Sequence, residues 1–149
     1  MVTKIHKFNK LSFEEKKLFL QAFVILGIMR FALLTLPFKL LTRSLDQQKS
    51  IRQLPLLSQT EMSSVHLVSR AINRAVLYTP WKSTCLVQAL TAHRMLYRYN
   101  LPGVLYVGIV KDKLSNKGLE AHAWSQCGSK IVTGAAEHEL YTVISVFKW

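Results

Sequence analysis

The chain has 149 residues, half of them apolar, which suits one folded domain with a substantial core and excludes wholesale disorder. Twenty lysines and arginines against eight acidic residues give a formal net charge of +12, which favours an acidic partner or an anionic membrane surface. Because the basic residues are dispersed along the chain, nucleic acid is not expected as a partner.

The N-terminal third is predicted to be helical. The segment Ser12-Phe13-Glu14-Glu15 fits a capping box and predicts a helix from there to about Leu34, before Pro37. A short second helix is predicted through Lys39 to Asp46. The polar stretch Gln47 to Leu57 then reads as a connection.

The first helix contains a nearly uncharged run, Leu18 to Met29. The run is interrupted too early to span a membrane, so we interpret it as a buried helix of a cytoplasmic protein. The alternative is peripheral contact with a membrane surface. That alternative depends on the flanking basic residues Lys16, Lys17, Arg30 and Lys39.

Two more helices are predicted in the middle of the chain. Ser58-Gln59-Thr60-Glu61 fits a second capping box, and apolar residues recur at helical spacing until Pro80. A further helix begins at Cys85 and ends near Asn100.

After Asn100 the apolar period changes to that of strands, separated by a polar loop over Asp112 to Gly118 and a turn at Cys127-Gly128-Ser129. The predicted strands are Gly103 to Lys111, Leu119 to Gln126, Lys130 to Thr133 and Tyr141 to Phe147. Helices followed by an antiparallel sheet predict an α+β fold. We expect a single domain over residues 1–149, with a helical segment over about 1–57 and a core over about 58–149.

Cys85 is the first candidate for chemistry. It follows the turn Pro80 to Thr84 at the start of a helix, where backbone amides and the helix dipole stabilise a thiolate nucleophile. A buried structural cysteine is the alternative. The other cysteine, Cys127, lies in a turn and is interpreted as incidental. Two cysteines without a ligand pattern predict reduced thiols and no metal, and they disfavour a disulfide between the two.

His122 is the second candidate, in the strand segment Glu120-Ala121-His122-Ala123-Trp124. Alternation places His122 and Trp124 on one face of that strand. A core histidine is the alternative. A cysteine at a helix N-terminus followed by a histidine in a strand is, however, an arrangement that many cysteine hydrolases use.

Four blocks together carry a resemblance to a known family. They are Trp81 with Cys85-Leu86-x-Gln88-Ala89-Leu90, then Arg94-Met95-Leu96, then Leu105-x-x-Gly108-Ile109-x-Lys111, then Ala121-His122-Ala123-Trp124. In this order they resemble the transglutaminase-like leader peptidases of lasso-peptide biosynthesis, in their stand-alone form.

The resemblance implies a papain- or transglutaminase-like core and a peptidase that removes the leader from a ribosomal precursor peptide. Cys85 would attack the scissile carbonyl, and His122 would act as its base. No cofactor is implied. The implied partners are the precursor's leader peptide, a small leader-binding protein and an ATP-dependent cyclase.

The chain departs from this family at the third catalytic position. Parts of the family have an Asp about a dozen residues after the His, whereas this chain has Gly134. Thr133 is predicted as a substitute, and a Cys/His dyad without a third member is the alternative. Candidates for lining the substrate site are Trp81, Gln88 and Trp124, for which packing roles are the alternative.

Three other functions remain open at this level. The first is acyl transfer of the transglutaminase type, in which an amine replaces water. The second is a non-catalytic scaffold that binds peptide, which the missing Asp makes conceivable. The third and weakest is nucleic-acid binding.

Overall fold

The computed structural model describes residues 10–49, 53–111 and 118–149. The helices are α1 (Phe13–Thr35), α2 (Phe38–Leu41), α3 (Gln59–Val76) and α4 (Cys85–Tyr97). The strands are β1 (Asp46–Gln48), β2 (Val104–Lys111), β3 (Leu119–Cys127), β4 (Lys130–Thr133) and β5 (Thr142–Lys148). A short 3-10 helix, His138–Leu140, precedes β5. The fold is α+β, as the sequence predicts.

Both predicted capping boxes are present. The Ser12 hydroxyl accepts a hydrogen bond from the Glu15 amide at 3.2 Å, and the Glu15 carboxylate accepts from the Ser12 amide at 3.0 Å. Ser58 and Glu61 form the same pair of bonds at the start of α3. Each box satisfies amides that have no partner within the helix, which fixes where α1 and α3 begin.

The helices form two layers on the sheet. α1 packs against α3 and α4, and those two helices pack in turn against β3 and β4. A hydrogen bond from the buried Ser69 hydroxyl to the Val132 carbonyl, at 2.8 Å, joins α3 to β4. α1 is therefore an outer layer, and the prediction of a buried helix holds for only one of its faces. That face carries Leu18, Ala22, Ile25, Leu26 and Met29.

The sheet is antiparallel with strand order β1-β5-β2-β3-β4. Its edge strand β1 lies where the sequence predicted the end of a helix and a connection. The second helix ends at Leu41 instead of Asp46, and Asp46 pairs with Lys148 of β5. The three residues of β1 are all polar, so the segment lacks the alternation of apolar and polar residues that indicates a strand. Its pairing depends on the free edge of β5. The predicted polar loop lies outside the described residues over 112–117.

Candidate active site

Cys85 is the first residue of α4, as predicted. The preceding residue, Thr84, caps the helix, and its hydroxyl accepts a hydrogen bond from the Val87 amide at 3.4 Å. The half-buried Cys85 thiol is free, and so is Cys127, so the two cysteines do not form a disulfide. Cys85 thus lies at the positive end of the α4 dipole, where a developing thiolate is stabilised.

The segment before Cys85 is held by hydrogen bonds. The hydroxyls of Thr79 and Ser83 lie 2.9 Å apart. The side-chain amide of Gln88 donates to the Ser83 carbonyl at 2.9 Å. The amide of Gln88, predicted to line the substrate site, therefore fixes the turn that leads into the nucleophile.

His122 lies half-buried in β3 and has a defined hydrogen-bond partner. Its Nε2 nitrogen lies 2.8 Å from the carbonyl oxygen of Gly134. A carbonyl oxygen only accepts hydrogen bonds, so Nε2 carries the proton of the neutral ring. The Nδ1 nitrogen is then the basic atom, which is the state a general base requires.

Gly134 is suited to this contact because it has no side chain. Its φ angle is +73°, in the left-handed region. A Cβ atom built at Gly134 would lie 2.5 Å from the carbonyl oxygen of Ala123. The position where the resemblance leads us to expect an Asp therefore supplies a backbone acceptor to the imidazole.

Thr133 does not provide the orienting contact predicted from the sequence. It pairs with Ser125 in the register of β3 and β4, and the two buried hydroxyls lie 2.8 Å apart. Side chains alternate along a strand, so Ser125 and His122, three residues apart, point to opposite faces. The Thr133 side chain lies on the same face of the sheet as Ser125. The residue that contacts the His122 imidazole is the next one, Gly134, through its carbonyl.

Tyr141 is a neighbour of His122, one of the two candidate catalytic residues, and no sequence pattern distinguishes it. Its ring lies 5.0 Å from the His122 ring, and its hydroxyl donates to the Glu120 carboxylate at 3.1 Å. Desolvation raises the pKa of Tyr141, as do the hydrogen bond to Glu120 and the nearby charges of Glu120, Glu137 and Cys85. Tyrosine is common near the start of a strand, so no sequence signal distinguished it.

The lengths of α4 and β3 are consistent with Cys85 lying level with His122. Just beyond the C-terminal end of α4, the Pro102 carbonyl accepts a hydrogen bond from the Cys127 thiol at 3.1 Å. The helix has 13 residues, about 20 Å, and the five-residue step from Cys127 back to His122 covers about 17 Å. Among the described hydrogen bonds none joins the Cys85 thiol to His122.

A family model for the transglutaminase-like superfamily matches residues 32–146, which is most of the chain and includes Cys85, His122 and Gly134. The chain belongs to the transglutaminase-like superfamily. The superfamily comprises cysteine proteases and acyltransferase-like enzymes, which fits the Cys/His interpretation in general terms. No curated protein and no solved structure matched the chain.

In this transglutaminase-like domain, Trp81 connects the nucleophile's turn to α1. Its ring lies 5.1 Å from that of Phe23, and a Cβ atom at Gly27 would lie 3.0 Å from it. The indole N–H is buried and has no hydrogen-bond partner in the described part of the chain. These contacts show packing against α1, whereas lining of a substrate site by Trp81 stays a prediction.

Trp124 shares a face with His122, as alternation predicts. Their rings are stacked with centroids 5.8 Å apart, and Tyr106 stacks on Trp124 at 5.3 Å. Trp124 is 5% exposed. It therefore supports the imidazole from within the sheet's packing, and a substrate could reach only a small part of its ring.

The transglutaminase-like site contains groups suited to thiol chemistry. They are the Cys85 thiol at a helix N-terminus, the hydrogen-bonded imidazole of His122 and the phenol of Tyr141 beside that imidazole. Over residues 10–49, 53–111 and 118–149, no group of three or more His, Cys, Asp or Glu side chains is placed to hold a metal ion. The histidine of α4, His93, lies eight residues after Cys85, is buried and packs on Trp149 at 4.9 Å.

Proposed function

We propose that this chain is a cysteine peptidase that removes the leader from a ribosomally made lasso-peptide precursor. The observation that carries the proposal is the hydrogen bond from His122 Nε2 to the Gly134 carbonyl, which leaves Nδ1 as a base. Membership of the transglutaminase-like superfamily supports the reaction class. The resemblance of the Cys85 and His122 blocks to leader peptidases supports the substrate.

The reaction follows from these groups. His122 Nδ1 takes the proton of the Cys85 thiol, and the thiolate adds to the scissile carbonyl carbon. The imidazolium then gives its proton to the leaving amine, which departs as the new N-terminus of the core peptide. Water, deprotonated by His122, hydrolyses the thioester and releases the leader with a free carboxylate. Cys85 recovers its proton, so no cofactor is consumed.

The scheme does not require a hydrogen bond between thiol and imidazole in the free protein, because catalytic hydrogen bonds often tighten only when substrate binds. The proposed partners are the leader peptide, a small leader-binding protein that presents it, and an ATP-dependent cyclase that takes the core peptide. All of them operate in the cytoplasm.

The test uses the purified chain with the precursor and leader-binding protein encoded beside it, followed by mass spectrometry of the products. We expect cleavage by the wild type and by Cys127→Ser, and loss of at least about a hundredfold in rate for Cys85→Ala and His122→Ala. Cleavage at the wild-type rate by either of the last two variants would falsify the peptidase proposal. An amide product formed with an added amine, in place of the free acid, would assign acyl transfer instead.

A further inference from the structure

The outward face of α1 carries an apolar stripe. Its members recur every three or four residues, which places them on one side of the helix. They are Leu20, Val24, Ile28, Phe31 and Leu34, all exposed. We call these five residues the α1 stripe; it is about 21 Å long at 1.5 Å per residue.

The α1 stripe is not part of the core. Although its uncharged run Leu18 to Met29 is short, α1 as a whole is long and apolar enough, by length and composition, to cross a membrane, and only 28% of its most apolar window is buried inside the domain. Ile28 is 54% exposed and Phe31 is 69% exposed. A helix on the surface of a soluble domain normally turns a polar face outward. A contiguous exposed apolar surface of this kind marks an interaction site.

The opposite face of α1 decides how it can meet a bilayer. Leu18, Ala22 and Leu26 lie on that face and are buried, and α1 packs on α3 and α4. Lipid therefore cannot surround the helix while the domain is folded. The α1 stripe can enter only the boundary between headgroups and acyl chains, with α1 lying in the plane of the membrane.

The charges around the α1 stripe favour an anionic surface. Lys17 is exposed three residues before Leu20, on the same side of α1. Beyond the end of α1, Leu36 and Leu40 are exposed, with Lys39 between them. Glu14 is the exposed acid on α1, and the chain's formal net charge is +12.

A cavity beside α2 combines apolar walls with basic side chains. The cavity has a volume of about 370 Å³, with Leu36 and Leu40 among its apolar walls. Arg43 and Arg94 also line it. Guanidinium groups bind phosphate oxygens in a forked geometry, and an apolar wall next to them suits an acyl chain.

We propose that the α1 stripe docks this domain onto a membrane of anionic phospholipid, with Lys17, Lys39 and Arg43 near the headgroups. The docking does not depend on the proposed peptidase activity. It would bring the domain to the cytoplasmic face of a membrane, where its site meets membrane-bound partners at raised local concentration.

The test is co-sedimentation of the full chain with sucrose-loaded vesicles. One set contains phosphatidylcholine alone, and the other contains about one third phosphatidylglycerol. We expect binding to the anionic vesicles only, weakened by added salt. Ile28→Ser with Phe31→Ser should lower the partition coefficient at least about tenfold. Lys17→Gln with Lys39→Gln should lower it roughly tenfold as well.

The matched control is Leu56→Ser with Ile144→Ser, which removes two exposed apolar side chains outside α1 and should bind like the wild type. Circular dichroism confirms that each variant is folded. Absence of wild-type binding to anionic vesicles overturns the proposal, as does equal binding by the stripe variant. A wild-type dimer that Ile28→Ser with Phe31→Ser makes monomeric would assign the stripe to a second copy. Precursor cleavage in solution, measured on the same variants, separates this result from failure of the peptidase proposal.

Discussion

The Nε2 nitrogen of His122 lies 2.8 Å from the backbone carbonyl oxygen of Gly134. In a Cys–His–Asp arrangement this nitrogen meets a carboxylate, which fixes the ring and also stabilises the imidazolium by its charge. The carbonyl of Gly134 also accepts a hydrogen bond from the ring but carries only a partial charge. His122 is therefore oriented without a full ion-pair partner, and its orientation depends on the backbone of one residue.

Gly134→Ala should impair both the fold around β4 and catalysis. The new Cβ would lie 2.5 Å from the Ala123 carbonyl, and the φ angle of +73° is unfavourable for alanine. We expect a loss of about 1 to 3 kcal/mol in the free energy of unfolding and at least a tenfold fall in thioester formation at Cys85. Urea denaturation and mass spectrometry of the acyl-enzyme measure the two effects. Wild-type thioester formation would show that the carbonyl does not position His122.

Thr133→Val tests the neighbouring residue. The substitution keeps the shape of the side chain but leaves the buried Ser125 hydroxyl without its partner at 2.8 Å. We expect a destabilisation of about 1 to 3 kcal/mol, with thioester formation within about twofold of the wild type. A large loss of activity in a folded protein would restore Thr133 to the role predicted from the sequence.

The positions of the proposed nucleophile and base in the fold were predictable because their signals are local. Cys85 follows a turn and begins a helix, and His122 interrupts a strand of small and aromatic residues. The contact of Gly134 was not predictable, because every residue has a carbonyl group and the sequence does not record where it points. The register of β3 and β4 includes an irregularity between Ser125 and Gln126, and that irregularity decided which residue reached His122.

In the fold as well, features with a local sequence signal were predictable and pairings between distant segments were not. Capping boxes at Ser12 and Ser58 predicted helix starts correctly because a cap is satisfied within four residues. The pairing of β1 with β5 joins residues about one hundred positions apart, and the polar segment Asp46–Gln48 has no pattern that indicates it. The burial of α1 was overestimated because apolar composition does not show which face has a partner.

Electrophile labelling should distinguish the two cysteines. Burial, and then the charge of Glu61, raise the pKa of Cys127 to about 11, and its side chain is fully buried. Cys85 is half-buried at a helix N-terminus. Iodoacetamide near pH 7.5 should therefore modify Cys85 at least about tenfold faster than Cys127, as peptide mass spectrometry would show. Equal rates in the folded protein would contradict the assignment of Cys85 as the nucleophile.

The free energy of unfolding should decrease as the pH is lowered from 6.5 to 4, because of His93. Burial first, and then the charge of Arg94, lower the pKa of His93 from 6.5 to about 4. Below pH 6.5 the unfolded chain binds a proton that the folded chain binds only near pH 4, so protonation favours unfolding across this window. The contribution of His93 to the free energy of unfolding is fully present above pH 6.5. It falls by about 3 kcal/mol as the pH is lowered toward 4, at about 1.4 kcal/mol per pH unit.

His93→Phe keeps an aromatic ring against Trp149, which lies 4.9 Å from the His93 ring, but it does not titrate. The free energy of unfolding, measured in urea between pH 4 and 7, should depend less steeply on pH in this variant than in the wild type. Parallel slopes for the two proteins would show that His93 is protonated equally in both states.

Tyr141 should act through its ring more than through its hydroxyl. Tyr141→Phe removes the hydrogen bond to Glu120 but keeps the ring 5.0 Å from His122. We expect it to retain activity within about threefold, because the lost bond is exposed. Tyr141→Ala removes the packing as well and should lower activity at least about tenfold. Steady-state cleavage rates decide this, and equal losses in both variants would transfer the role to the hydroxyl.

The parts of the site come from distant positions: Cys85 opens α4, His122 lies in β3, Gly134 follows β4 and Tyr141 immediately precedes β5. During synthesis the nucleophile thus leaves the ribosome long before the groups that orient its base. A nascent chain that ends before β3 carries the Cys85 thiol without the His122 imidazole. The proposed activity therefore requires that β3 and β4 have paired, because this pairing brings the Gly134 carbonyl to His122.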